Sequence, residues 1–357
     1  MNHTITIEGS LESHPADDTS GARETVQAED GETILDAALR NGVGFAYSCQ
    51  AGNCGTCKCE YVSGEIFELE YSEHALSAAE RSRNVILACR TQVWSDVHIR
   101  RLSAEEFVVH PSRVMRCRVT DFALLTYDVM RLRLAIEAGG PFTFSAGQFA
   151  KLEFEFAPEQ PRDYSMANGP DEPHLEFHIR VLKGGVSAML PERLKVGDPV
   201  RVSGPFGTSY LRTQHRGPIL ALAGGTGLAP IRSIVAAALA ARVPGSIHLY
   251  VGVRGERDVY GEAELREWAR QHPNLHVHVV LSEHTESAAG ARRFGLVTEP
   301  VGADFADLSG FHAYLAGPPA MVDAATEVLR SRGLGARDIH ADAFYGAAPQ
   351  TPKRAVA

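Results

Sequence analysis

The hydrophobic rhythm changes twice along the chain, and each change marks a different kind of structure. HTITIEG and ETVQAED near the start alternate apolar and polar residues as half-buried strands do. GETILDAALRNGV then spaces its apolar residues as a helix. Residues 10–24 read as a polar insertion in the first hairpin. RRLSAEEFVVHPSR, 100–113, is polar, has no clear period and contains a proline, so it reads as a linker. Short alternating runs follow: RVMRCRVTDF, VMRLRLAIE, FAKLEFEF, HLEFHIRVL and DPVRVSGPFG, separated by Gly, Pro and Asp. Such runs predict a small antiparallel barrel. From 218, PILALAGG, IHLYVGV, LHVHVVL and HAYLAG alternate with the helical patterns APIRSIVAAALAAR, GEAELREWARQH and AMVDAATEVLRSRG. Strands alternating with helices predict a doubly wound parallel sheet. The expected class is α+β and α/β multidomain, with domains at 1–101, 110–212 and 213–346 and a loose tail at 347–357.

Composition narrows the setting. The 357 residues, 44% hydrophobic and 22% charged, suit two or three globular domains. MNHTITIEGS lacks a secretory signal's basic start and apolar stretch, and the longest apolar run, IVAAALAA at 234–241, is too short to span a bilayer. A cytoplasmic protein without membrane attachment or stable disulfides is expected. The net charge of −9 falls entirely within residues 1–100, which hold 16 acids against 7 Lys and Arg. An acidic chain is a poor nucleic-acid binder. The asymmetry suggests a separate N-terminal module, although plain solubility explains it as well.

YSCQAGNCGTCKCEYVSG carries the densest chemistry. Cys49, Cys54 and Cys57 read C-x4-C-x2-C, and Cys89 follows alone in VILACRTQV. Structural zinc favours two short C-x2-C pairs, whereas three thiols on one loop with a distant fourth match plant-type [2Fe–2S] spacing. Gly52 and Gly55 let the loop wrap tightly and aim N–H groups at the sulfurs. Cys59 and Cys117 read as plain buried thiols. On these residues the segment 3–100 resembles the plant-type ferredoxin domain, which implies a β-grasp fold and metal ligation by Cys49, Cys54, Cys57 and Cys89.

Two further motif groups lie downstream. In RDYSMAN, Arg162 can fork onto a phosphate, Tyr164 can stack on a flat ring and Ser165 can reach a ring nitrogen. LKGGVSAML sets Gly184, Gly185 and Ser187 at a helix start, either an anion site or a mere turn with a cap. LALAGGTGLAPIRS joins a buried strand to a helix, where dinucleotides bind, with Pro230 in the first helical turn. AGPPAM follows at 316–321. In this order the motifs resemble the ferredoxin–NADP reductase superfamily. The resemblance implies a flavin-binding barrel holding FAD through Arg162, Tyr164, Ser165, Met166, His178, Val181, Gly184, Gly185, Val186 and Ser187. It implies a nicotinamide domain using Gly225, Thr226, Gly227, Pro230, Arg254, Gly317, Pro318 and Met321. Ser165 and Phe344, the latter in DAFYG, would stand against the reacting rings, though Phe344 reads equally as a core aromatic. Many relatives carry Cys where this chain has Ala316, which bears on the rate of hydride transfer.

The combination resembles the reductase component of bacterial multicomponent oxygenases, first among them those of Rieske aromatic-ring dioxygenases. Reductases of di-iron monooxygenases or of deoxysugar synthesis share the architecture. A flavin-binding redox sensor without turnover is the alternative of another class. A nicotinamide gives two electrons together and an iron–sulfur cluster takes one at a time, so flavin converts between them. The implied path runs from NADH, with NADPH open because RGERD offers both acid and arginine, through FAD and the cluster. It ends on a terminal oxygenase component docking at the ferredoxin domain. The acidic run EYVSGEIFELEYSE, with Glu68 and Glu70 singled out, is expected to steer that partner or else to be a solvated face.

Overall fold

The computed structural model describes residues 2–9, 23–102, 108, 110–283 and 292–345. Of the expected insertion at 10–24, Arg23 and Glu24 are strand and the rest lies outside the described residues, as do the tail at 347–357 and residues 103–107 and 109 of the expected linker. The chain divides into two compact units, one N-terminal to His110 and the other spanning His110–Phe344.

The first unit opens with the hairpin β1 (Asn2–Glu8) and β2 (Arg23–Glu29), followed by α1 (Ile34–Arg40), β3 (Lys58–Ser63), β4 (Ile66–Glu68), α2 (Ala78–Arg81), β5 (Val85–Leu87), β6 (Thr91–Val93) and β7 (Val97–Arg101). The main sheet runs β2-β1-β7-β3-β5, with β1 and β7 parallel. Thr33 caps α1 by accepting the Asp36 N–H, and Ile34, Leu35, Ala37 and Ala38 bury its inner face. Arg100 and Arg101 belong to β7 and Arg113 begins the next strand, so both ends of the expected linker are strand. The polar residues at these strand ends hid the alternation there, although both strands lie inside their sheets.

The second unit starts with β8 (Arg113–Leu124), β9 (Val129–Ala138), β10 (Phe149–Phe154), β11 (Arg162–Ser165), β12 (Leu175–Arg180), α3 (Gly185–Arg193) and β13 (Pro199–Phe206). These strands form an antiparallel sheet in the order β11-β10-β13-β8-β9-β12. A bridge between Met166 and Phe177 brings its two edges together, giving a nearly closed barrel filled by Met115, Leu132, Phe154 and Phe177. The chain continues through β14 (Ile219–Gly224), α4 (Leu228–Ala240), β15 (Ile247–Val253), α5 (Glu262–Gln271), β16 (Leu275–Leu281), β17 (Arg293–Phe294), α6 (Thr298–Asp304), β18 (His312–Gly317), α7 (Pro319–Ser331) and β19 (Ile339–Ala343). All six strands are parallel, in the order β17-β16-β15-β14-β18-β19. Separate apolar clusters cover the two faces of this sheet, as a doubly wound fold requires. Strand order reverses between β14 and β18, the position at which such sheets open a ligand crevice. Among the described residues no helix is long and apolar enough to cross a membrane.

Candidate functional site

The cysteine loop brings all four expected thiols together as two pairs. Cys49 and Cys54 hydrogen-bond each other, and Cys57 Sγ lies 3.2 Å from Cys89 Sγ. Ala51 and Asn53 donate their N–H groups to Cys49 Sγ at 3.4 and 3.3 Å. The bond from Cys54 and these amides, against the penalty of burial, bring the Cys49 thiol down to about 6. Cys54 is pushed up by that same bond and by burial, and Cys89 by Cys57 and by burial. Gly52 and Gly55 both hold positive φ. A Cβ on Gly52 would lie 2.8 Å from Arg90 Cγ and Tyr71 Cβ, and one on Gly55 would lie 2.6 Å from the Ala75 carbonyl. The donor set, the amides and the tight glycines fit a [2Fe–2S] cluster. Cys59 and Cys117 are fully buried, and burial alone is the leading cause that raises both thiols, Cys117 to about 12.

The expected flavin residues lie on or directly after β11 and β12, and at the start of α3. Arg162 and Tyr164 lie on alternate positions of β11 and are half-buried; burial lifts the Tyr164 phenol to about 12, so it stays neutral. Gly184 and Gly185 have φ of 87° and 73°, and nothing lies within 4 Å of a Cβ at either. Gly184 is the N-cap of α3 and offers no side-chain cap, so the first amides of the helix are available to an anion. Ser187 Oγ accepts the Leu182 N–H at 3.2 Å and braces this turn. An open glycine cradle at an uncapped helix start fits the pyrophosphate of FAD, and a neutral aromatic ring on β11 suits one of its rings. The side chains of Met166 and Val186 point into the barrel core. Val181 donates its N–H to the Asp128 carbonyl at 2.8 Å. His178 is buried, bonded to Glu176 at 3.1 Å and set edge-on to Tyr260, so its ring ties β12 to the nucleotide sheet.

At the carboxyl ends of β14, β15, β16 and β18 lies a cleft of about 360 Å³. Gly225, Thr226, Arg254, Pro318 and Met321 line it as expected. Gly227 does not: a Cβ there would stand 2.0 Å from the Ala316 carbonyl, so this glycine permits helix–strand packing. Pro230 is buried within α4, and Gly317 holds φ 143° against Gly224. Phe344 donates its N–H to the Gly317 carbonyl at 2.9 Å. Ser165 Oγ donates to Asp342 Oδ2 on β19 at 3.2 Å. The barrel strand carrying Ser165 therefore meets the nucleotide sheet beside Gly317 and Phe344.

Several lining residues escaped the sequence reading: Asp128, Arg180, Tyr260 and Ser282. Asp128 and Arg180 come from the barrel and form an ion pair at 2.9 Å. Their place in a nucleotide cleft depends on how barrel and sheet pack, which no local pattern records. Tyr260 Oη donates to the Gly225 carbonyl at 3.3 Å, and its position just before α5 was the one available signal.

Comparison with known proteins covers nearly the whole chain. Residues 18–93 match a family described as 2Fe-2S iron-sulfur cluster binding domain, 116–210 an oxidoreductase FAD-binding domain and 221–327 an oxidoreductase NAD-binding domain. The ferredoxin–NAD(P)(+) reductase component of the naphthalene 1,2-dioxygenase/salicylate 5-hydroxylase systems of Ralstonia sp is 43% identical over 90% of this chain and 95% of its own. The corresponding naphthalene 1,2-dioxygenase component of Pseudomonas putida is 39% identical over 88% and 94%. The crystal structure of the Amycolatopsis cytochrome P450 reductase GcoB superposes with a TM-score of 0.80 at 33% identity, covering 96% of this chain and 100% of that one. The ferredoxin reductase in carbazole 1,9a-dioxygenase gives 0.70 at 30%, covering 97% and 99%.

Proposed function

This chain belongs to the family of oxygenase-system reductases that join a plant-type [2Fe–2S] domain to a ferredoxin–NADP reductase-like FAD and NAD module. From that membership we propose that it draws electrons from NAD(P)H and delivers them to a protein component of an aromatic-ring oxygenase system. FAD when bound accepts a hydride and the cluster carries single electrons, so together they match a two-electron donor to a one-electron acceptor. The observation that carries the reading is the Ser165–Asp342 bond beside Gly317 and Phe344. It supports a flavin strand facing the carboxyl edge of the nucleotide sheet inside one compact unit.

In this reading the residues divide by task. Cys49, Cys54, Cys57 and Cys89 hold the cluster in residues 1–101. Arg162, Tyr164 and the amides around Gly184 and Gly185 hold FAD in 110–212, with Ser165 directed at its ring. Gly225, Thr226, Arg254, Pro318 and Met321 bind the nucleotide in 213–346, and Phe344 shields the place where the two rings meet. The acceptor docks at the N-terminal domain, and the protein works in the cytoplasm. Both dioxygenase relatives are named for ferredoxin as well as NAD(P)(+), which favours a second reading in which a small ferredoxin stands between this chain and the oxygenase. Reconstitution with candidate oxygenases, with and without a ferredoxin, tests both. NADH-dependent hydroxylated product is expected in at least one arm, and its dependence on ferredoxin decides the immediate acceptor. Fast NADH oxidation without product in any arm would contradict the assignment.

A further inference from the structure

At the mouth of the nucleotide cleft, the hairpin between β8 and β9 reaches the loop after β15 through one side chain. Tyr127 Oη donates to Asp258 Oδ1 at 2.9 Å and accepts from Arg254 Nη2 at 3.2 Å. The Arg257 guanidinium lies over the same ring, 5.0 Å from its centroid. Asp258 Oδ2 accepts the Gly255 N–H at 3.0 Å, which ties this carboxylate to its own turn. Arg254 and Asp258 both line the cleft, yet their charged atoms stand 3.7 Å apart. That is too long for a hydrogen bond. Two such groups four residues apart would otherwise close a direct charge-assisted pair, which is the stronger arrangement. The phenol is a spacer between them.

The spacer has a chemical consequence. A guanidinium closed onto a carboxylate is a poor phosphate ligand, because its fork is occupied and its charge balanced. Arg254 instead remains half-exposed in the cleft; it donates to a neutral hydroxyl, and Asp258 stands at ion-pair distance without a hydrogen bond. The loop after the second strand of such a sheet is where the adenosine ribose is read. We propose that Tyr127 is a positioning residue for nucleotide specificity: by keeping Arg254 off Asp258, it leaves a cation free for a 2′-phosphate. The cleft then takes NADPH as well as NADH. The inference rests on the reading of this cleft as the NAD(P)H site.

Full-length protein carrying both cofactors tests it in four forms: wild type, Tyr127→Phe, Asp258→Asn and the double variant. Calorimetry with 2′,5′-ADP and with 5′-AMP is set beside kcat and KM for NADPH and NADH. Tyr127→Phe keeps the ring under Arg257 but removes the spacing hydroxyl. Its Kd for 2′,5′-ADP and its KM for NADPH should rise about three- to tenfold, as expected for losing an exposed charge-assisted contact. 5′-AMP binding, the KM for NADH and both kcat values should hardly move. The double variant should recover 2′,5′-ADP binding, since no carboxylate remains to capture Arg254. Wild type that binds 5′-AMP but not 2′,5′-ADP, equal weakening of both ligands in Tyr127→Phe, or no recovery in the double variant would overturn the spacer. Wild type that binds neither ligand would overturn the assignment of the cleft itself.

Discussion

A charge held in a pair steers a partner less than a free one, and the acidic run from Glu60 to Glu73 contains both kinds. Glu60 meets Arg100 at 2.7 Å. Glu68, expected to face the solvent, is buried and meets Arg81 at 2.8 Å, with its side chain only 10% exposed. One carboxylate oxygen of Glu70 is also buried. The cause is the short strand β4, whose pairing with β6 turns Glu68 inward beside a helix that supplies the arginine. Glu65 and Glu73 are the exposed members. Glu68→Gln should therefore lower stability by about 1 kcal/mol and leave the salt dependence of electron delivery unchanged. Replacing Glu65 and Glu73 with Gln should make that dependence shallower. Stopped-flow reduction of the acceptor across ionic strengths checks both, and a shallower slope in the Glu68 variant would return that residue to the docking surface.

At the scale of elements, periodicity revealed what packing on one side produces. The barrel strands, the alternating strands and helices after 218 and the glycine loop before α4 all follow patterns of burial written locally. The grouping of the four thiols was legible for the same reason, since one loop supplies three of them. β19 was not legible, because IHADA buries two polar residues, His340 and Asp342, and so lacks the apolar run expected of a buried parallel strand. The Asp342 partner, Ser165, lies 177 positions away. The role of β12 was equally hidden. Its buried Glu176 lies between Arg133 at 2.6 Å and His178 at 3.1 Å. Burial opposes its charge, but the bonds from His178 and Arg133 prevail and hold it at about 2. A carboxyl depressed in this way stabilises the fold above its ordinary range, and that contribution disappears as pH falls from about 4.5 to about 2. Thermal unfolding followed over that window should show a steep acid limb in wild type. Glu176→Gln should lower Tm at neutral pH and flatten the limb, whereas parallel curves would assign the acid loss to other groups.

For the whole molecule, a loop of paired thiols, a barrel with a glycine cradle and a nucleotide cleft follow one another along the chain, the reverse of the order that electrons would take. The excess negative charge belongs wholly to the N-terminal hundred residues, while barrel and nucleotide sheet form one compact unit. Chemistry on the nucleotide therefore needs only the second unit, and single-electron exit needs the first. Replacing one thiol of the Cys57–Cys89 pair separates the two. The most direct measurement compares NADH-driven reduction of ferricyanide, which takes electrons from FAD, with that of cytochrome c in Cys89→Ser. Ferricyanide reduction should persist near the wild-type rate while cytochrome c reduction collapses. If cytochrome c reduction survives intact, the thiol loop is not the electron exit.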